Sequence, residues 1–215
     1  KDMALSEKQR SLLFASKRAQ AQRNAANHVA NILWKTAENI VKAARKHRPY
    51  YRSKAMSDVA RYEKEARQIA ANAEKAIEKY VEAYSQAGGR VLRIDTKELV
   101  NSYLKQEVFG KTYMQRNSEY LSDFAEDIVK LVKAGVSLRY DERKIINAVR
   151  SSYKDPYNRS LMTKAAKADN KAMEVPHRGK GVFTASYENV IRNVRNTIGL
   201  AWTQVEKEYG DRHGA

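Results

Sequence analysis

Apolar residues recur at alternating steps of three and four along the first ninety residues, a pattern typical of helices that pack side by side. Gln22 and Thr36 fill two skipped places in the first series, and Pro49 separates it from the second because proline cannot continue a helix. The first series is Leu12, Ala15, Ala19, Ala26, Val29, Leu33, Ile40 and Ala43. The second is Val59, Tyr62, Ala66, Ile69, Ala73, Ala76, Tyr80 and Ala83. The pattern predicts two long helices, at about residues 8–46 and 54–87, packed as an antiparallel hairpin with a coiled-coil-like seam.

In the rest of the chain, the helices are predicted from residues that mark their ends rather than from long periodic runs. Gly88 and Gly89 predict the end of the second helix, and residues 91–94 a short extended link. Gly110 and Gly135 predict the ends of two later helices. The predicted later helices are residues 95–108, 113–133, 141–152, 159–172 and a long one within 181–208. With only 9 Gly and 3 Pro in 215 residues, the sequence predicts an all-α protein, with the hairpin in residues 1–90 and a C-terminal helical bundle in residues 91–215.

Residues that could carry catalysis are sparse. The chain has no Cys, and its four histidines, His28, His47, His177 and His213, stand at no metal-ligand spacing. No glycine-rich phosphate loop is present, and no pair of carboxylates stands out from the charged helix faces. No apolar run approaches the length that spans a bilayer. We therefore expect no catalytic residues, no metal, no cofactor and no membrane partner.

The net charge of +16 is concentrated in two stretches of the chain. Residues 1–60 contain 13 Lys and Arg against 4 Asp and Glu, and residues 141–180 contain 10 against 5. Elsewhere the two signs nearly balance, which is typical of solvated helix faces with charge pairs four residues apart. The excess therefore marks two candidate surfaces for an anionic partner.

The first candidate surface is the predicted tip of the hairpin, where two tyrosines interleave with cations. Its residues are Arg45, Lys46, Arg48, Tyr50, Tyr51, Arg52 and Lys54. Cations neutralise phosphates and aromatic rings stack on bases, so this composition suits nucleic acid or an acidic protein. A solvated loop would carry the same charges, and that alternative stays open. The second candidate patch comprises Lys164, Lys167, Lys171, Arg178 and Lys180.

The last long helix resembles a known family. Its segment reads GVFTASYENVIRNVRNTIGLAWTQVEKE from Gly181 to Glu208. The segment resembles the core of phage minor head proteins of the phage Mu F type, the head morphogenesis family, especially members from phages of gut Bacteroides. The residues in register with the family pattern are Gly181, Val182, Phe183, Ser186, Tyr187, Asn189, Arg192, Arg195, Ala201 and Trp202. The chain departs from the pattern at Asn196 and Thr197, where the family has Thr and Glu, and at Gly199, where it usually has Asn.

The resemblance covers about 90 residues of the C-terminal half, and it implies a non-enzymatic structural protein. Such a protein associates with the portal, other head proteins and the capsid interior, is assembled in the host cytoplasm, and can contact packaged DNA. Gly181, Tyr187, Asn189, Arg192, Arg195 and Trp202 are then expected to be structural. Arg192 and Arg195 would clamp the loop at 174–181 and the helix at 141–152, and the hairpin would be the site of any oligomerisation.

Two alternatives to the head protein remain open. Composition alone suits a cytoplasmic helical module that binds nucleic acid through the hairpin tip. The chain can also be the docking part of a longer protein that carries a toxin or an enzyme.

Overall fold

The computed structural model describes residues 6–47, 56–154 and 186–213, and within these ranges the protein is all-α. The helices are α1 Glu7–His47, α2 Met56–Leu92, α3 Lys97–Lys105, α4 Tyr113–Ser137, α5 Glu142–Lys154 and α6 Ser186–His213. Together they account for more than two-thirds of the 215 residues, and the described ranges contain no strand beyond one isolated bridge between Val108 and Lys111. The predicted fold class is confirmed. The helix predicted at 159–172 lies outside the described residues.

The first two helices form the predicted antiparallel hairpin. The hydroxyl of Tyr62 on α2 donates a hydrogen bond to the carbonyl of Ile40 on α1, at 3.1 Å. Further along α2, the ring of Tyr80 stacks on His28 of α1 with centroids 4.7 Å apart. Later residues of α2 thus contact earlier residues of α1, which is the arrangement of antiparallel helices.

The buried positions of the hairpin differ from the predicted seam. On α2 they are Tyr62, Ala66, Ala70, Ala73, Ile77, Val81 and Ser85, whereas the predicted Tyr80 and Ala83 are exposed. On α1, Phe14 is buried and the predicted Leu12 is 64% exposed. The steps between buried α2 residues are mostly four, with few threes, so they follow an 11-residue rather than a 7-residue repeat. A straight α-helix drifts about 20° per heptad, which moves a strict heptad series off the buried face over several turns.

Three of the glycines predicted to end helices, Gly88, Gly89 and Gly135, lie within helices and pack closely against neighbours instead. Helix α2 continues through Gly88 and Gly89, so the predicted stop and the extended link at 91–94 are wrong. A Cβ on Gly88 would lie 3.2 Å from the ring of Trp202, and one on Gly89 would lie 2.3 Å from Oγ1 of Thr96. Helix α2 ends at Leu92, where Arg93 adopts a φ of 57°. Gly89 is therefore required by its neighbours rather than by a left-handed backbone, and Gly88 packs so closely on Trp202 that the indole would have to shift to admit a Cβ.

Gly135 follows the same rule. Helix α4 runs past it to Ser137, and a Cβ on Gly135 would lie 2.6 Å from Cγ1 of Ile145 on α5. The prediction that Asp141 opens the next helix is confirmed, because its Oδ1 accepts a hydrogen bond from the Lys144 N–H at 2.8 Å. Helix α3 ends at Lys105, earlier than predicted, and Gly110 lies in a turn beyond it with a φ of 74°.

The chain divides into two compact units, named here after the tryptophan that each contains. The Trp202 unit comprises Lys1–Ala30, Ala76–Asn117 and Ile191–Ala215, and the Trp34 unit comprises Asn31–Lys75 and Ser118–Val190. This division does not follow the boundary at residue 90, because each unit combines segments of the hairpin with helices from later in the chain.

Each unit has its own apolar core. In the Trp202 unit, the indole of Trp202 is 1% exposed, lies 4.9 Å from the ring of Phe14, and donates a hydrogen bond to the carbonyl of Tyr84 at 2.8 Å. In the Trp34 unit, the largest fully buried side chains are Tyr62, Phe124, Leu33, Ile40, Leu121, Ile128, Leu131 and Ile145. Burying an aromatic ring of this size gives several kcal/mol, so Trp202 is a principal stabilising residue of its unit.

Candidate nucleic-acid interface

Two residues of the predicted hairpin tip, Arg45 and Lys46, lie in the last turn of α1. Arg45 Nε lies 2.5 Å from Glu142 Oε2, within ion-pair distance, but without hydrogen-bond geometry at that oxygen. Lys46 Nζ lies 3.0 Å from Glu65 Oε1, and His47 contacts the other oxygen of the same carboxylate. Each described cation of the tip therefore has a carboxylate partner.

These contacts reduce, but do not remove, the cationic character of this end of α1. The hydrogen bond from His47, followed by that from Lys46, holds the pKa of Glu65 below its ordinary value, so this carboxylate stays charged. The side chains of Arg45 and Lys46 are nevertheless 74% and 73% exposed. The remaining tip residues, Arg48, Tyr50, Tyr51, Arg52 and Lys54, lie outside the described residues. So do Lys164, Lys167, Lys171, Arg178 and Lys180 of the second patch.

The family-like helix, α6, supplies core residues along one face. Its buried residues are Ser186, Val190, Val194, Thr197, Ile198, Ala201, Trp202 and Val205. Tyr187 and Asn189 are half-buried, and Gly181 lies outside the described residues. Trp202 is buried and donates a hydrogen bond to the backbone carbonyl of Tyr84, which suits the structural role expected of it.

Arg192 and Arg195 lie on the exposed part of α6. Among the described residues, neither guanidinium makes a hydrogen bond or an ion pair. One expected partner, the loop at 174–181, falls outside the described ranges together with Lys180. The clamp role of the two arginines thus stays a prediction, and their exposure leaves both guanidinium groups accessible to a partner.

A contact that the sequence did not predict joins α1 and α6 within the Trp202 unit. The side-chain amide of Gln22 donates a hydrogen bond to the backbone carbonyl of Arg195 at 2.9 Å. Gly199 makes this approach possible, because a Cβ there would lie 2.4 Å from Gln22 Nε2 and 3.5 Å from Arg18 Nη2. Two features of the sequence could have indicated this contact. Gln22 occupies an apolar position of the first series, and Gly199 stands where the family usually has Asn.

This contact assembles three arginines along one side of the α1–α6 packing, and we call Arg18, Arg192 and Arg195 the arginine cluster. Arg192, Arg195 and Gly199 follow one another at steps of three and four on α6, and Arg18 reaches Gly199 from α1. No Asp or Glu occurs between residues 8 and 30 of α1, or between residues 189 and 205 of α6. No described carboxylate pairs with any of the three arginines. The cluster is a cationic surface, and its guanidinium groups can make bidentate contacts with phosphate.

The first turn of α6 is fixed by a different interaction, in the Trp34 unit. The buried hydroxyl of Ser186 donates a hydrogen bond to Asp127 Oδ2 on α4, at 2.5 Å. Burial raises the pKa of Asp127 to about 6, although the hydrogen bond from Ser186 and the nearby Lys130 act in the opposite direction. A carboxyl group with this pKa titrates near neutral pH, so the contact has a built-in pH dependence.

Other classes of site have little support in the described ranges. They contain no group of His, Asp and Glu placed to hold a metal ion. None of their helices combines the length and apolarity required to cross a bilayer. No protein-family model, curated protein or solved structure matches the chain.

Proposed function

We propose that this chain is a non-enzymatic structural component of a phage head, which associates with the portal and the capsid interior and contacts packaged DNA. The proposal rests on the resemblance of α6 to minor head proteins and on one observation. The family-like residues of α6 separate into a buried face and an exposed arginine pair, to which α1 adds Arg18. A structural helix with a free cationic edge suits a protein that is held in an assembly and faces an anionic polymer.

Co-purification with the portal tests the structural role. The chain is expressed with the portal protein of the same phage genome, and portal rings are isolated at moderate salt. We expect the chain to remain bound to the rings. Absence from the rings at every salt concentration at which the portal stays assembled would contradict the proposal.

DNA contact is tested separately, by changing Arg18, Arg192 and Arg195 together to Gln. The affinity for duplex DNA of any sequence should fall, and the slope of log affinity against log salt should flatten by about 0.9 for each lost phosphate contact. A matched control changes Arg67, Lys133 and Arg150, which lie near Glu126, Glu63 and Glu38, to Gln. It removes the same charge from paired positions, so an equal loss in both variants would show a general charge effect rather than a site.

The cytoplasmic nucleic-acid module stays as a second candidate because Arg45 and Lys46 remain largely exposed despite their ion pairs. Changing Arg45, Lys46, Arg48, Arg52 and Lys54 together to Gln distinguishes the two candidates. If this variant loses DNA affinity while the variant of the arginine cluster keeps it, the hairpin tip is the DNA site and α6 is a purely structural helix.

A further inference from the structure

The turn between α3 and α4 presents an aromatic side chain entirely to solvent. Phe109 is 100% exposed, the highest exposure among the large apolar side chains of the described residues. Val108 and Lys111 exchange two backbone hydrogen bonds, of 3.0 and 3.4 Å, on either side of it. Phe109 has a φ of 53° and Gly110 a φ of 74°, so both central residues are left-handed, as in a type I′ turn. Asn-Gly is the favoured pair at these positions, and an aromatic residue at the first is uncommon.

Arg116 fixes this turn from its base. Its Nη1 donates hydrogen bonds to the carbonyls of Val108 and Lys111, at 2.8 and 2.7 Å. Directly after the turn, Thr112 and Gln115 form a reciprocal capping box at the start of α4, with hydrogen bonds of 2.8 and 3.2 Å. The backbone that carries Phe109 is thus already ordered, and little conformational entropy remains to be lost when the ring binds a partner.

A cleft of about 230 Å³ adjoins the turn within the Trp202 unit. Its lining residues are Val81, Leu104, Tyr113, Met114, Glu78, Glu82, Asn101 and Lys105. Lys105 ends α3 and Tyr113 begins α4, so the cleft borders the connection that carries Phe109. An apolar cavity of about 150 Å³ is large enough to bind benzene. The cleft, which is open to solvent, therefore has room for a phenyl ring beside its apolar lining residues, and Phe109 of the same chain leaves it free because that ring is fully exposed.

We propose that Phe109 is the anchor of a self-association site, in which its ring enters this cleft on a second copy of the chain. A protruding side chain and a cleft that adjoin on one surface can both take part in a single twofold interface, where each copy inserts its ring into the cleft of the other. Both surfaces carry both signs of charge, because Glu107 and Lys111 flank the ring while Lys105, Glu78 and Glu82 lie at the cleft, so each charge on one copy can face an opposite charge on the other. The inference goes beyond the proposed function and does not depend on it.

Sedimentation velocity of the full chain over a concentration series tests the site. The unaltered protein should show a monomer–dimer equilibrium. Phe109→Asn should raise the dissociation constant by about 30-fold or more, the loss typical of a central anchor residue. Because Asn-Gly favours this turn, the melting temperature of the variant should not fall, which separates lost binding from lost folding. Leu200→Asn, on a residue of α6 that is 51% exposed, is the matched control and should leave the equilibrium unchanged.

A second variant tests the other half of the interface. Leu104→Trp fills the cleft and should also weaken the dimer. A mixture of the two variants should recover part of the association, because a heterodimer retains one intact Phe109 facing one intact cleft. A monomeric unaltered protein at the highest concentration reached, or a dimer that Phe109→Asn leaves unchanged, would overturn the proposal.

Discussion

Six of the described lysine and arginine side chains of the Trp34 unit lie against carboxylates, whereas in the Trp202 unit Arg212 pairs with Glu208 and several other cations have no carboxylate partner. Pairs of the Trp34 unit are Arg45–Glu142, Lys46–Glu65, Arg67–Glu126, Lys130–Asp127, Lys133–Glu63 and Arg150–Glu38. In the Trp202 unit, Arg116 donates to two carbonyls, Arg10 lies over the ring of Tyr209, and the arginine cluster pairs with no described carboxylate. A high net charge therefore does not locate a partner site by itself. Cations without a carboxylate partner are better candidates, and the arginine cluster brings three of them together on two packed helices.

The largest effect is expected from removing Trp202, the enclosed core residue of the unit that contains the arginine cluster. Trp202→Ala should lower the free energy of unfolding by about 3–5 kcal/mol. The matched variant, Trp34→Ala, removes a half-buried ring that lies 4.9 Å beneath the guanidinium of Arg150 and should cost less. Urea denaturation followed by circular dichroism measures both. A larger loss for Trp34→Ala would show that the two cores have been ranked incorrectly.

A smaller effect, dependent on pH, is expected in the Trp34 unit. The pKa of Asp127 is raised to about 6 in the folded protein, from 3.8, so the folded state binds this proton more tightly than the unfolded state. The resulting stabilisation is complete below about pH 4 and is lost as the pH rises through 6. Asp127→Asn cannot ionise and should be more stable than the unaltered protein at pH 8, by up to about 3 kcal/mol.

Thermal unfolding at a series of pH values measures this difference, which should vanish near pH 4. Ser186→Ala serves as a control, because it removes the hydrogen bond that lowers the pKa of Asp127. The titration should then move to higher pH. If the unaltered protein and Asp127→Asn showed the same pH dependence, the carboxyl group would not be the origin of the effect.

The smallest expected change in stability comes from a variant that tests the difference in charge pairing between the two units. Changing Glu65 and Glu142 to Gln frees the cations at the end of α1 and should alter the free energy of unfolding by less than about 1 kcal/mol, because the cation of each pair is largely exposed and such pairs contribute little. The salt dependence of DNA binding should steepen, by up to about 0.9 for each newly available phosphate contact. The control changes Glu98 and Glu107, two exposed acids of the Trp202 unit, to Gln. An equal gain in both variants would indicate net charge rather than local unpairing.

The sequence predicted the helical class and the hairpin because these depend on local periodicity and on Pro49. It assigned Gly88, Gly89 and Gly135 to helix ends, since a glycine that permits a left-handed backbone and one that admits a neighbouring side chain look alike in a sequence. The deciding neighbour of Gly88 is Trp202, far away along the chain, while those of Gly89 and Gly135 are Thr96 and Ile145, which belong to the segment that folds back after each helix.

The candidate sites could be predicted from the sequence less completely than the fold. The charge count directed attention to Arg45 and Lys46, but the acids that pair with them come from other helices and cannot be assigned from local spacing. Arg18 was not predicted at all, because its significance depends on the Gln22–Gly199 contact between distant segments. Phe109 was missed for a simpler reason: a single phenylalanine beside a glycine carries no periodic signal, and only its backbone conformation and exposure distinguish it.

The presence of one tryptophan in each unit has a practical consequence for spectroscopy. The chain contains 2 Trp, one in each unit, and their surroundings differ. Trp202 is enclosed and bonded to a carbonyl, while Trp34 is half-buried next to a guanidinium. The emission spectra of the two indoles should therefore differ in wavelength and in quenching. Replacing either one with Phe leaves a single intrinsic fluorophore, so the unfolding of each unit can be followed separately without attaching a dye.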